Sequence, residues 1–404
     1  MRAGLTCLAA ALIAMVVGCS TTDPASAPTT TMPAPPARDG VNTSLLDPGT
    51  YPTKPRPPLG TAGGTWVGGQ IESRRMGNNV VGPWEVDPVL TSLTRAGVPR
   101  PTDLDLVFGA GVGATAVAHQ LIAVFQSGRA SATSSQKVLV NVVLRFPSPE
   151  EAAAAAAEMA STSGRPKSSS HGDEPTSYEP VTIPGYPATA AKSYRQDLLG
   201  APWRVLAFTA HGMYVLGQSV EARDSAAGAA LAATTLDKQG PLIDQFQATP
   251  TDQLAQLPID PDGLLARTLR PDSGVGELYQ PHAQLHFDDD PPRTQTLFDT
   301  AHLQLVAKGN TIVYQTPDGA SAQKIVDIFA AAMADNQNRI GPRYAPAQGI
   351  PGLSTAKCLE NKSDAGSSFY CVAVADRYAI EVSTHQELVA HQKVSAQYLM
   401  LTST

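Results

Sequence analysis

Ile183-Pro184-Gly185-Tyr186-Pro187-Ala188-Thr189-Ala190-Ala191-Lys192 and Ile350-Pro351-Gly352-Leu353-Ser354-Thr355-Ala356-Lys357 are two versions of one segment, and their reading decides the fold. Each places a Pro-Gly turn after an isoleucine and leads through small residues into a Lys. Outward from this pair, the landmarks keep their order when residues 137–246 are laid against 302–401. Val140 to Phe146, Pro147-Ser148-Pro149 and a helix from Glu150 to Ala160 correspond to Thr311 to Thr316, Pro317-Asp318-Gly319 and a helix from Ala320 to Met333. Both helices are Ala-rich with a capping residue ahead of them. Downstream, Val205 to Thr209 and Met213 to Gln218 read as strands around His211-Gly212, as do Phe369 to Val374 and Tyr378 to Val382 around Asp376-Arg377. Helices at about 225–236 and 386–399 close the two halves. Each unit is therefore β-α-β-β-β-α, and its hairpin-short connections require mainly antiparallel pairing. The fold class is α+β. Leu121 to Phe125 and Leu303 to Val306 read as one extra strand ahead of each unit.

The chain has 404 residues, 42% apolar, with a net charge of −7. Removing residues 1–18, whose only charged side chain is Arg2, takes the charge to −8. Acidity without a basic patch argues against nucleic acid as a partner. The N-terminus carries Arg2 and a largely apolar stretch from Leu5 to Val17 that ends in Val16-Val17-Gly18-Cys19. A stretch of about a dozen residues is too short to span a bilayer and has the length of a signal-peptide core. The cysteine at the cleavage position resembles the bacterial lipobox, which implies lipidation of Cys19 and palmitate-type acyl chains as the membrane anchor. Residues 1–18 then form the signal peptide and 19–64 a Pro/Thr-rich tether, disordered from Ser20 to about Leu59. Beyond the tether, residues 65–249 form an N-terminal α+β domain, 250–297 a connector rich in Pro, Asp and Gly, and 298–404 a C-terminal α+β domain.

With Cys7 lost in the signal and Cys19 lipidated, Cys358 and Cys371 remain as a pair in an exported chain, facing each other across a hairpin. A disulfide is expected there, since two further nearby zinc ligands and the C-x-x-C spacing are both missing. His282, His286 and Asp288 offer a His-x3-His metal pattern, but Pro281, Pro291 and Pro292 frame it and favour a solvated loop. Gly109, Gly111 and Gly113 fail the spacing of a nucleotide loop and read as a flexible turn. No nucleophile-elbow string occurs. The alanines 152–157 suit close packing, with a lipid groove as the sharper alternative. Arg74, Arg75 and Asp87 beside Trp84 form a candidate ligand-binding set, against the plainer reading of an ion pair between Glu72 or Asp87 and these arginines that fixes the N-terminal segment.

The order of lipobox, tether, Glu72-Ser73-Arg74-Arg75 and Pro83-Trp84-Glu85-Val86-Asp87-Pro88, then a second half with Tyr314 and Asp318 ahead of a helix, resembles a family of mycobacterial and nocardial lipoproteins of unknown function. The resemblance spans nearly the whole mature chain. It implies an exported, membrane-anchored protein with N- and C-terminal domains, and it supplies no catalytic residues. The expected function is a non-catalytic cell-envelope lipoprotein that binds an envelope lipid, glycan or protein partner, with no cofactor. An envelope hydrolase or transferase built from dispersed residues, or an accessory subunit of an envelope complex, are the alternatives.

Overall fold

The computed structural model describes residues 40–132, 137–165, 177–195, 200–335, 344–363 and 366–403. The signal segment, Cys19 and the first part of the tether lie outside these residues. The first half runs α1 (Thr65–Met76), α2 (Pro83–Val86), β1 (Leu90–Gly97), α3 (Leu104–Phe108), α4 (Val112–Ala118), β2 (Ala123–Ser131), β3 (Val138–Arg145) and α5 (Pro149–Thr162). It continues with β4 (Glu179–Pro180), β5 (Ala190–Arg195), β6 (Trp203–His211), β7 (Tyr214–Ala222) and α6 (Ser225–Ile243). The second half runs β8 (Glu277–Tyr279), α7 (Pro281–Leu285), α8 (Pro291–Thr300), β9 (Leu305–Lys308), β10 (Ile312–Gln315) and α9 (Gly319–Ala334). It ends with β11 (Tyr344–Pro346), β12 (Lys357–Ser363), β13 (Gly366–Ala375), β14 (Tyr378–Thr384) and α10 (Glu387–Thr402).

Two seven-stranded sheets result, ordered β1-β2-β3-β7-β6-β5-β4 and β11-β12-β13-β14-β10-β9-β8. Read from the other edge, the second order is the first displaced by seven strands, and every pairing is antiparallel. The α+β class and the duplication therefore hold, and the repeat is longer than its sequence landmarks. It begins at β1 and β8, each followed by two short helices, so the last part of the expected connector belongs to the second unit. Small motifs repeat with it. In the Ile-Pro-Gly turns, Tyr186 N donates to Ile183 O at 3.0 Å and Leu353 N to Ile350 O at 3.0 Å. Gly185 and Gly352 hold φ of 79° and 80°, as the third position of a type II turn requires. The left-handed residues Gln120 and His302 end α4 and α8 alike, with Leu121 N donating to Ala116 O and Leu303 N to Phe298 O. Ser148 and Asp318 cap α5 and α9 by accepting from Glu151 N and Ser321 N.

Both faces of each sheet are covered, which explains why strands such as Val138–Arg145 are apolar almost throughout. In the first half, Leu139, Val143 and Val205 pack under α6, while Val142, Leu144 and Leu206 pack under α5. Ala152, Ala155 and Ala156 of α5 are buried there, so one face of the alanine run packs on the sheet while Ala153, Ala154 and Ala157 are exposed. In the second half, α10 covers one face and α8 with α9 the other. Cys358 and Cys371 stand directly opposite on β12 and β13 and form a disulfide, with Cα atoms 4.2 Å apart.

Two local expectations change. The end of the tether is ordered from Gly40: Val41 and Leu46 are buried in the core under α10, Asn42 N donates to Gly352 O, and Ala62 N to Leu257 O. Widely spaced apolar residues among prolines suffice for this strap, because it borrows its hydrogen bonds from loops of the fold. The glycines at 109–113 open a helix in place of a flexible turn: Gly111 is the N-cap of α4, and Gly113 N is held by Asp105 Oδ1 at 2.8 Å.

Candidate functional site

Helix α1 has two working faces. Glu72, Ser73 and Met76 are buried against the first sheet, where Ser73 Oγ accepts from Val124 N at 3.0 Å. Gly68 and Gly69 let the helix lie on backbone: a Cβ would come within 2.2 Å of Leu254 O or 2.4 Å of Ile122 O respectively. Glu72 is the clamp, accepting from Arg145 at 2.7 Å, from Arg75 at 2.5 Å and from Thr249 N at 2.7 Å. The plainer reading of Glu72 and Arg75 is therefore the structural one.

On the adjacent face, Val67, Gln70, Ile71 and Arg74 recur at helical spacing and form one wall of a cleft of about 750 Å³. Leu257, Ile259 and Leu265 contribute a second wall, and edge strand β8 with its neighbour β9 a third, through Glu277, Leu278, Leu305 and Lys308. Most of this surface is aliphatic. Its charged groups include Arg74, whose Nη2 lies 3.4 Å from Glu277 Oε1, while Tyr279 donates to Glu277 Oε2 at 3.0 Å. Lys308 pairs with Glu277 across the β8–β9 ladder, and its Nζ sits 3.5 Å from the centre of the Phe287 ring and 4.9 Å from that of Tyr279. Burial lowers the Lys308 ammonium to about 8.

The sequence-derived ligand set is not brought together. Arg74 and Arg75 line the cleft, but Arg75 is held by Glu72, Thr249 and Gln247. Asp87 accepts from Lys137 Nζ at 2.5 Å. Trp84 is buried in the core of the second half, with the His286 ring 5.2 Å away and the Arg129 guanidinium 5.0 Å away.

The metal pattern is likewise taken up by other contacts. Pro281 starts α7 at its first turn, where the missing N–H costs nothing, so His282 and His286 lie on a helical turn after all. His286 is fully buried, with Nε2 3.2 Å from Gly77 O and Nδ1 2.8 Å from Ser127 Oγ. A carbonyl only accepts, so Nε2 carries the proton and Nδ1 accepts from the serine hydroxyl; burial pushes the ring well below its usual pKa and keeps it neutral. His282 is engaged by Asn78 O at 3.1 Å and Glu85 at 3.3 Å. Asp288 accepts from Thr294 Oγ1 at 2.8 Å and Asp290 N at 2.9 Å, while its carbonyl accepts from Arg129.

Two further arrangements were not anticipated. His119 stands between Glu151 and Glu158, at 2.9 and 3.0 Å, and these hydrogen bonds raise its pKa. Glu381, raised by burial, accepts from Tyr314 at 2.5 Å inside the second core. The cleft itself had one legible signal, the stripe Val67, Ile71, Arg74; its other walls lie far along the chain, Glu277 being 203 positions from Arg74.

Among the described residues, no helix is long and apolar enough to cross a membrane. No curated protein matches the chain. The crystal structure of the extracellular domain of PknH from Mycobacterium tuberculosis aligns with 42% of this chain and 96% of its own, at 14% identity and a TM-score of 0.30. Residues 59–259 match the N-terminal domain, and residues 260–404 the C-terminal domain, of a family described as a domain of unknown function, DUF7373. With both domains in sequence and residues 59–404 covered, the chain belongs to the DUF7373 family.

Proposed function

We propose that the protein is an extracytoplasmic lipoprotein, anchored through Cys19, that holds an amphiphilic envelope ligand in the cleft between α1 and β8 without catalysing a reaction on it. The observation that carries this reading is the cleft: about 750 Å³ of largely aliphatic wall with a few convergent polar groups. That is the make-up of small-ligand sites, which run from about 300 to 1,000 Å³. The lipobox-like Val16-Val17-Gly18-Cys19, the resemblance to mycobacterial and nocardial lipoproteins and the Cys358–Cys371 disulfide support the location.

Native mass spectrometry with lipid extraction, on residues 40–404 exported from an actinobacterial host, tests the reading. A stoichiometric adduct that disappears in Ile71→Trp, which fills the cleft, is the expected result. A clean apo mass in the unsubstituted protein overturns small-ligand capture and turns the search to protein partners.

A further inference from the structure

We propose that the occupant of the cleft is an apolar chain with an oxyanion head, a carboxylate or a phosphate, and that Arg74 and Lys308 hold that head. This rests on the cleft being the ligand site and adds what the ligand must carry.

The charges that line the cleft do not balance. Arg74, Arg75, Lys308, Glu277 and Asp262 are the charged residues that line the cleft. Arg75 is held away by Glu72, which it shares with Arg145, and by Thr249 and Gln247, and Asp262 is exposed to solvent, where water screens it. Within the lining that leaves two cations and one carboxylate, Glu277; the buried carboxyls of Glu381 and Asp288 also face Lys308, both raised by burial, and Glu381 already accepts from Tyr314. Glu277 Oε1 meets Arg74 only at 3.4 Å, and Glu277 Oε2 is taken by the Tyr279 hydroxyl. Arg74 Nε is buried and has no acceptor. The Lys308 ammonium makes no hydrogen bond or ion pair among the described residues and lies over the Phe287 and Tyr279 rings. Cross-strand pairing in the β8–β9 ladder puts Lys308 on the same sheet face as Glu277, and so beside the group that Arg74 reaches.

A partly desolvated cation whose ammonium has ring faces but no hydrogen-bond acceptor is a costly arrangement that an entering anion relieves, and charge-assisted hydrogen bonds to an oxyanion are the strong kind. The tail of the same molecule would cover Val67 and Ile71 of α1. A neutral amphiphile would satisfy the walls and leave both cations as they are.

The probe is cis-parinaric acid against its methyl ester, two molecules with one chain and different heads, titrated by fluorescence into residues 40–404, which contain both sheets and their cores. The acid is expected to bind at least tenfold more tightly. Lys308→Met should remove that preference while leaving the ester unchanged, and Lys308→Arg should retain it. In the unsubstituted protein, raising the pH past 8 should weaken the acid and not the ester, a readout that needs no variant to fold. Displacement by dodecanoate identifies a carboxylate head and displacement by dodecyl phosphate a phosphate head; either supports the inference. Equal affinity for acid and ester overturns the oxyanion head and leaves the cleft as a ligand site. Failure of both to bind overturns the ligand site itself.

Discussion

The Arg129 guanidinium lies 5.0 Å from the centre of the Trp84 ring, and through that contact a strand of the first sheet meets a side chain packed in the core of the second. Arg129 is fully buried, donates to Thr91 O at 2.6 Å and to the Asp288 carbonyl, and is lowered by burial to about 10. Two carbonyls on different segments need the fork of a guanidinium, which a lysine cannot reproduce. Arg129→Lys should therefore cost about 2–3 kcal/mol, the scale of a lost charged hydrogen bond plus a stranded acceptor. Urea unfolding should show one transition for both halves, moved to lower urea; an unmoved midpoint would count against a shared core.

The two Ile-Pro-Gly turns make an internal comparison. At Gly185 a methyl group meets nothing within 4 Å, so Gly185→Ala should cost only the left-handed backbone penalty, about 1–2 kcal/mol. At Gly352 the same methyl would stand 2.3 Å from Asn42 O, where the strap crosses. Gly352→Ala should cost more and should expose residues 40–46 to limited proteolysis. Equal losses at the two positions, with the strap still protected, would contradict this placement of the strap.

Two histidines should act on stability in opposite pH ranges. His119 is raised by Glu151 and Glu158, so its contribution is complete below about 6.5, the unfolded value, and is lost as pH rises through its higher folded value. His286 is lowered by burial and stays neutral when folded, so stability falls as pH drops below about 6.5 and the unfolded chain takes up the proton. Thermal midpoints should show it. His119→Gln should lose less than the unsubstituted protein on the alkaline side. His286→Asn, though less stable at neutral pH, should lose less on the acid side.

For the disulfide, cross-linking two cysteines at a sequence separation of 13 predicts a loss of about 3 kcal/mol in the Cys358→Ser, Cys371→Ser double variant. Peptide mapping without reduction should recover the two cysteines linked. Denaturant unfolding that does not distinguish the variant from the parent would show that the pairing adds nothing to stability.

Anchoring is checked separately. Cys19→Ala should leave the protein soluble after fractionation or leave the precursor unprocessed. Membrane association unchanged by the substitution would remove the lipid anchor from the proposed function.

What could be read from sequence was what is encoded locally. β3, β6, β7, β13 and β14 are apolar runs between turn residues, and α5 and α9 follow Ser148 and Asp318, so their existence and order were legible. β1 was not, because its middle positions are exposed and it lies at a sheet edge, where polar side chains hide the strand signal. α7 is hidden because Pro281 reads as a breaker, whereas a proline in the first turn starts a helix. The site was less legible still. Neighbouring Arg74 and Arg75 leave α1 in different directions, one toward Glu277 and one toward Glu72, and composition cannot separate them. Lys308 carries no signal in the sequence because a lone lysine in a short strand looks like any solvated residue; its meaning comes from Phe287 and Glu277, supplied by other elements.

The strap gives the molecule a mechanical polarity. Although it precedes both repeats, it is fastened to the second one, through Asn42 to Gly352 and through Val41 and Leu46 to the core under α10. A pull on the chain ahead of Gly40 thus loads the turn before β12 first and reaches α1 only after that strap has peeled away. Tension applied from the N-terminal side is borne by the C-terminal repeat, and α1, which forms the wall of the cleft, is shielded from it until the strap lets go.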